Sequence, residues 1–229
     1  MNLNKRPVCY SDHQLNACPT FCYAGPQAAT EVSMSYLNKT QRREIILEAA
    51  GRVALSEGLQ AMTVRRIASE AQIATGQVHH HFASASALKA ETFVRLSEQL
   101  LDTYRQKPAT SSWREWLHQV LGSDTSGSSE YLALWRDAQQ EAGHDPLIRE
   151  AYIQSMLAWH QEVVAVIRAG MAGGGFSTSG EPDSIAWRLI ALSCGMDGIY
   201  LLGIAGIDDR AFYQHLDAAI TRELAPAAL

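Results

Sequence analysis

From Lys39 onward, apolar positions return every three or four residues. Ile45, Ile46, Ala49, Ala50, Val53 and Ala54 draw one stripe along a helix, and Gly58 closes it. Thr63 stands where a cap is needed for a short helix over Val64–Ala71. A second short helix is expected over Thr75–Phe82, and Ser84 caps a long one from Ala85 to near Gln106. Pro108 and the Thr-Ser-Ser after it mark a boundary. Beyond it the periodicity predicts helices at about 112–122, 129–142, 145–172, 182–205 and 208–224. Asp145-Pro146 and Glu181-Pro182-Asp183 are helix starts, with proline in the first turn and acids at the positive end of the dipole. Gly173-Gly174-Gly175 separates two of these helices. Strict alternation, the mark of a strand, is missing throughout. The pattern predicts an all-α chain, a small N-terminal helical unit joined to a larger C-terminal helical bundle.

The two short helices are a helix-turn-helix candidate. Such a pair needs a small residue where the helices cross, here Ala68. It favours a left-handed backbone four positions later, here Gln72, where glycine would be cheaper by about 1 kcal/mol. It needs an apolar anchor six positions further on, here Val78. The run His79-His80-His81 falls on the second helix. Neighbouring helical residues point about 100° apart, so the three imidazoles cannot share one metal; no metal site is expected here.

Thr63-Val-Arg-Arg-Ile-Ala-Ser-Glu-Ala-Gln-Ile-Ala-Thr-Gly-Gln-Val-His-His-His-Phe82 resembles the DNA-binding signature of the TetR family of transcriptional regulators. The resemblance runs from about Thr40 to Leu88. It is echoed in Arg168–Phe176, which is similar to the loop before the family's last two helices, and in Asp197-Gly198 in the helix that follows. It implies a helix-turn-helix DNA-binding domain over residues 35–85 and a ligand-binding and dimerisation domain over 86–229. The implied function is a ligand-responsive dimeric regulator, a repressor released from a double-stranded DNA operator by a small molecule. The chain departs from the family's usual residues at three places. His79 stands for a phosphate-contacting Tyr, Ala85 for a Lys, and Gln72 for the turn glycine. The missing Lys is the argument for the alternative, a helical ligand-binding or interaction protein with a degenerate DNA-binding unit.

Placed on the motif, Lys39, Arg43 and Thr63 are candidate phosphate contacts. Arg65, Thr75, Gln77, His79 and His80 are candidates for the groove. Arg suits guanine O6/N7, Gln suits adenine, and Thr suits a phosphate or a thymine methyl. His81 is expected to be partly buried beside Phe82. The resemblance also implies an effector pocket in the bundle. Trp135, Gln139, Tyr152, Met156, Trp159 and His160 are the candidates, with Arg136, Gln139 and His160 as the polar groups able to orient a ligand. The stripes Ile185–Leu202 and Phe212–Leu224 lie on the two helices that the family pairs across a two-fold axis. A homodimer would set two recognition helices about 34 Å apart.

Composition changes this picture little. The chain has 229 residues, 47% of them hydrophobic, and a formal net charge of −5. Residues 35–106 carry nine Lys/Arg against seven Asp/Glu, whereas residues 107–229 carry eight against fifteen. A polyanion would therefore prefer the first part, where Lys39, Arg42, Arg43, Arg52, Arg65 and Arg66 cluster. No paired carboxylates with ligand-type histidines, no glycine-rich phosphate loop and no nucleophile motif appears, so neither an enzyme nor a cofactor is expected. No apolar run reaches the length of a membrane span, and a cytoplasmic protein is the expectation. Residues 1–34 show no period and read as a disordered leader, with Met34 as a natural start. Their Cys9, Cys18, Cys22 and His13 match no standard zinc spacing. Cys194, alone in an apolar stretch, reads as a small core residue.

Overall fold

The computed structural model describes residues 38–123 and 129–225. The leader reading and the early cysteines lie outside these residues. Among the described residues there are nine α-helices and no strand beyond one bridge, in which Ser177 N–H donates to Ala225 O at 2.8 Å. The helices are α1 (Lys39–Glu57), α2 (Val64–Glu70), α3 (Thr75–His81), α4 (Ala85–Tyr104), α5 (Trp113–Val120), α6 (Ser129–Glu141), α7 (Pro146–Ala172), α8 (Pro182–Tyr200) and α9 (Asp209–Glu223). A single 3-10 turn, Leu59–Ala61, joins α1 to α2.

Three of the helix starts expected from the sequence are capped by the expected side chains, whereas Glu181 makes no side-chain cap bond. Thr63 Oγ1 accepts from Arg66 N–H at 3.1 Å, Ser84 Oγ from Ala87 N–H at 3.0 Å, and Asp145 Oδ1 from Leu147 N–H at 2.9 Å. Asn38 and Gln41 form a reciprocal capping box on α1, and Ser112 and Glu115 form another on α5.

Two hydrophobic cores fill the molecule. One joins α1–α3 to α4, α6 and the start of α7, through Ile46, Ala50, Val53, Ile67, Val78, Phe93, Leu134 and Ile148. The other packs α5, the second half of α7, α8 and α9 around Leu117, Val163, Ile167, Leu189, Leu216 and Ile220. The α1–α3 unit therefore shares its core with α4, α6 and α7. Four rings span the gap between the cores. Trp135 meets Phe93, Tyr152 and Trp159 edge-on, with centroids at 5.2, 5.4 and 5.9 Å.

The glycine run after α7 has a packing reason. A Cβ on Gly173 or Gly175 would strike the indole of Trp113, so that ring seats directly on the loop backbone.

Two expectations fail. The helix expected to 205 stops at Tyr200. The chain then turns through Leu201–Ile207, where Gly203 (φ 62°) and Gly206 (φ 84°) adopt conformations closed to most side chains. Cys194 is exposed rather than in the core. Its neighbours Ile190, Ser193 and Met196 are buried, and Cys194 falls on the flank of that stripe, beside exposed Ala191, Gly195 and Gly198. Ile199 and Leu202, placed by the sequence on one stripe with Leu189, are exposed at 40% and 72%.

Candidate nucleic-acid interface and ligand cavities

α2 and α3 meet through Ala68, which is 2% exposed, and Val78, 1% exposed. The turn between them puts Gln72 at φ 54°, the left-handed position expected from its spacing. Ile73 N–H then reaches back to Ala68 O at 2.9 Å and closes the turn. With that seam buried, the other side of α3 is left to solvent. Thr75, Gly76, His79 and His80 are exposed, and Gln77 is half-buried. Thr63 and Arg65 are exposed at the start of α2, and Lys39 is exposed at the start of α1.

The basic cluster divides in two. Arg43 grips both carboxylate oxygens of Glu91 and lies 4.7 Å over the Phe82 ring, so it ties α1 to α4 and to the end of α3. Arg52 pairs with Glu70 at 2.9 Å, and Arg66 pairs with Glu57 at 2.5 Å and with Glu70 at 3.0 Å. Lys39 and Arg65 form no salt bridge among the described residues. They carry the charge that this surface can offer an anion.

His81 turns inward as expected. It is half-buried, its Nδ1 is enclosed without a hydrogen-bond partner, and its ring meets His80 edge-on at 5.5 Å. Burial, then the neighbouring His80 and Lys39, push its pKa below the ordinary imidazole value.

The six candidate ligand residues do not share one site. Trp135 and Trp159 line a cavity of about 80 Å³ with Leu101, Tyr104 and Tyr131. Tyr152 packs between Phe93 and Trp135, and burial pushes its phenol up to about 12. Met156 packs on the second core, and Gln139 is exposed. His160 is buried against Trp187 of α8, with rings stacked at 4.2 Å and Nε2 3.0 Å from Asp183 O.

A larger cavity, about 300 Å³, lies between α6, α8 and α9. Leu121, Leu132, Tyr200 and Phe212 form its apolar wall, and Arg136, Asp197 and Asp209 its charged one. The sequence pointed to Arg136 as a ligand-orienting group but to none of the others in that role. They come from segments as much as 91 positions apart, from Leu121 to Phe212, and periodicity alone does not bring them together.

One residue beyond Arg136, Asp137 accepts the Leu59 N–H at 2.9 Å. α6 thus touches the cavity with Leu132 and Arg136 and the turn before α2 with Asp137. Lys89 and Glu141 add a second tie between α4 and α6 at 2.6 Å.

A clasp joins α5 to α9. His118, 4% exposed in its side chain, has Nδ1 2.9 Å from Ser123 Oγ and Nε2 3.0 Å from Asp217 Oδ1. Its ring stacks on Tyr213 at 4.1 Å, and Arg114 Nε donates to the same Asp217 oxygen at 2.5 Å. Burial lowers the His118 pKa against the opposing pull of Asp217. For both His81 and His118 the folded pKa lies below the unfolded one, so below about pH 6.5 the unfolded chain binds more protons. Stability is therefore full above that value and is lost as pH falls toward the folded pKa. The melting temperature should drop between pH 7.5 and 5.5, and His118→Asn should flatten that drop. An unchanged slope in the variant would remove His118 from the account.

Among the described residues no cluster of three His, Cys, Asp or Glu side chains could hold a metal, and no helix is long and apolar enough to cross a membrane.

The profile described as "Bacterial regulatory proteins, tetR family" matches residues 46–92, and that of the "BetI-type transcriptional repressor, C-terminal" matches residues 113–225. The chain belongs to the TetR family of transcriptional regulators. Its relatives include the HTH-type transcriptional repressor KstR2 of Rhodococcus jostii, 27% identical over 157 residues, which covers 66% of this chain and 76% of that one. A protein of Saccharomonospora viridis, described as a transcriptional regulator and solved in complex with choline, superposes with a TM-score of 0.66 at 26% identity. That match covers 81% of this chain and 98% of that one. The reduced form of Escherichia coli NemR shares the fold, with a TM-score of 0.66 at 16% identity over 82% of this chain and 100% of that one. TetR-family proteins bind DNA operators and small-molecule effectors, form dimers, and are generally not enzymes. This chain is accordingly a ligand-responsive DNA-binding regulator, and the reading as a degenerate helical binding protein is the weaker one.

Proposed function

We propose that the protein is a cytoplasmic homodimeric repressor that leaves its operator when a small molecule enters the bundle. The α2–α3 pair carries this reading, with its seam buried at Ala68 and Val78 and its outer face exposed. In this reading residues 35–85 read DNA and residues 86–229 sense and dimerise. Thr75, Gln77, His79 and His80 enter the major groove, with Arg65 at its edge, while Lys39 and Thr63 hold phosphates. Arg43 contributes by fixing α3 against α1 and α4, because its guanidinium is already bound by Glu91.

The exposed apolar faces of α8 and α9 suit a two-fold contact. Trp187, Ile199, Tyr200 and Tyr213 are about 40% exposed, an uneconomical arrangement for a lone chain. Small-molecule binding by the Saccharomonospora relative supports an effector role for the bundle. Ligand would favour a bundle shape in which the two reading heads are mis-spaced, shifting the population away from DNA.

The test is fluorescence anisotropy with DNA from upstream of the protein's own gene, across a salt series. Saturable binding that survives competitor DNA, with a steep salt slope, is expected. Arg65→Ala and Gln77→Ala should each cost about 1–3 kcal/mol on the cognate site and relax sequence preference. Lys39→Ala should weaken all sequences alike and reduce the salt slope by about one ion. Equal, weak binding to every sequence would sink the reading.

A further inference from the structure

We infer that the small chamber between α4, α5, α6 and α7 is the effector site of this regulator, and that it takes a compact, uncharged aromatic molecule carrying one hydrogen-bonding group. Its role as effector site rests on the regulator reading; its choice of ligand rests on its own walls. No residue of the wall bears a formal charge. Four are aromatic, Trp135 and Trp159 among them, four are aliphatic, Leu100 and Leu132 among them, and the last is Ser97. A carboxylate or an ammonium entering here would lose its water and meet no counter-ion, whereas an aromatic ring would meet other rings.

Ser97 marks where the ligand's polar group goes. The residue is 2% exposed, and its Oγ is buried with no hydrogen-bond partner. A hydroxyl on a helix ordinarily has an outlet in the carbonyl one turn back. Thr92 takes it, donating to Leu88 O at 2.7 Å. Ser97 does not. Trp159, on the same wall, already donates its indole N–H to Val120 O at 2.8 Å. A ligand hydroxyl can both accept from Ser97 Oγ and donate to it, and so relieve a buried polar atom that is costly to leave unpaired.

At about 80 Å³ the chamber is small; an apolar cavity of about 150 Å³ holds a benzene ring. The extra room lies next door. Leu132 is the one residue that lines both this chamber and the cavity of about 300 Å³ beside Arg136, and it is only half-buried. A change of its rotamer toward the larger cavity admits a ring.

Occupancy has two routes to DNA. Leu132 sits on α6 with Asp137, which holds the turn before α2. Trp135 meets Phe93, which belongs to the core that includes α1–α3.

The test is isothermal titration calorimetry of the full chain, without DNA, against four single-ring probes near neutral pH: phenol, toluene, benzoate and protonated benzylamine. Saturable binding of phenol is expected, about tenfold or more tighter than of either charged probe and about threefold or more tighter than of toluene. Ser97→Ala removes only the unpartnered hydroxyl. The variant should melt no lower than the parent, bind toluene as before and lose its preference for phenol. A charged probe that binds as tightly as phenol, equal binding of phenol and toluene, no binding, or a phenol preference indifferent to Ser97→Ala would overturn the inference. With operator DNA present, phenol should release the parent chain at lower concentration than it releases Ser97→Ala; DNA still held at saturating phenol would overturn the effector role. Because the calorimetry contains no DNA, a chain that takes phenol yet ignores every operator would defeat the regulator reading and leave the site standing.

Discussion

Lys89→Met is expected to lower the free energy of unfolding by about 3–5 kcal/mol, the range for removing one partner of a buried pair. Lys89 Nζ lies 2.6 Å from Glu141 Oε1, and the two side chains are only 15% and 14% exposed. The other Glu141 oxygen is buried with no hydrogen-bond partner. Without the ammonium, a carboxylate would stand desolvated between α4 and α6. The double variant Lys89→Met/Glu141→Leu should recover most of the loss, since the penalty comes from the orphaned charge rather than from the missing attraction. Urea denaturation of the two variants decides it. A loss below about 1 kcal/mol for Lys89→Met would class the pair with ordinary surface bridges.

The second large effect is expected at the joint between α6 and the reading head. Gly58 has φ 86° and ψ 166°, and a Cβ there would come within 2.7 Å of Asp137 Oδ2. Gly58→Ala should cost about 1–3 kcal/mol through backbone strain and push the Asp137 carboxylate off the Leu59 amide. Asp137→Ala should cost a similar ~1–3 kcal/mol, because the amide of Leu59, a fully buried residue, would lose its acceptor. Hydrogen exchange at that amide separates a local effect from a global one. In Asp137→Ala it should speed up by about tenfold or more, while amides in α8 keep their protection relative to the global stability. Unchanged exchange at Leu59 would mean that α6 has no hold on the turn.

The reading head was legible because its requirements are local. Thr63 and Ser84 announce helix starts by their side chains, Ala68 and Val78 are ten positions apart on a fixed geometry, and Gln72 stands at a turn whose backbone is dictated by the two helices. The ligand region was not legible in the same way. Tyr152 and His160 are aromatic or polar residues on a helix the family uses, but helical spacing cannot say which of them a neighbouring helix will cover. Phe93 and Trp187 do so, from segments 59 and 27 positions away. The cavity at Arg136 needs Asp197, 61 positions on. Cys194 misled for a related reason. An apolar stretch signals burial only when the protein has one hidden face there, and α8 has a second apolar face turned outward.

α7 has 27 residues and its buried side chains belong to both cores, Ile148 and Ala151 at one end, Val163, Val166 and Ile167 toward the other. At 1.5 Å per residue it is a rod of roughly 40 Å. Such a rod trades angle for distance: a tilt of about 5° about one end carries the other through roughly 3 Å. In a two-headed reader each head would be displaced, and the errors would add across a span that DNA holds to one helical turn. In the proposed mechanism a ligand much smaller than the bundle would need only to lean on this lever near its pivot for the molecule to miss its register.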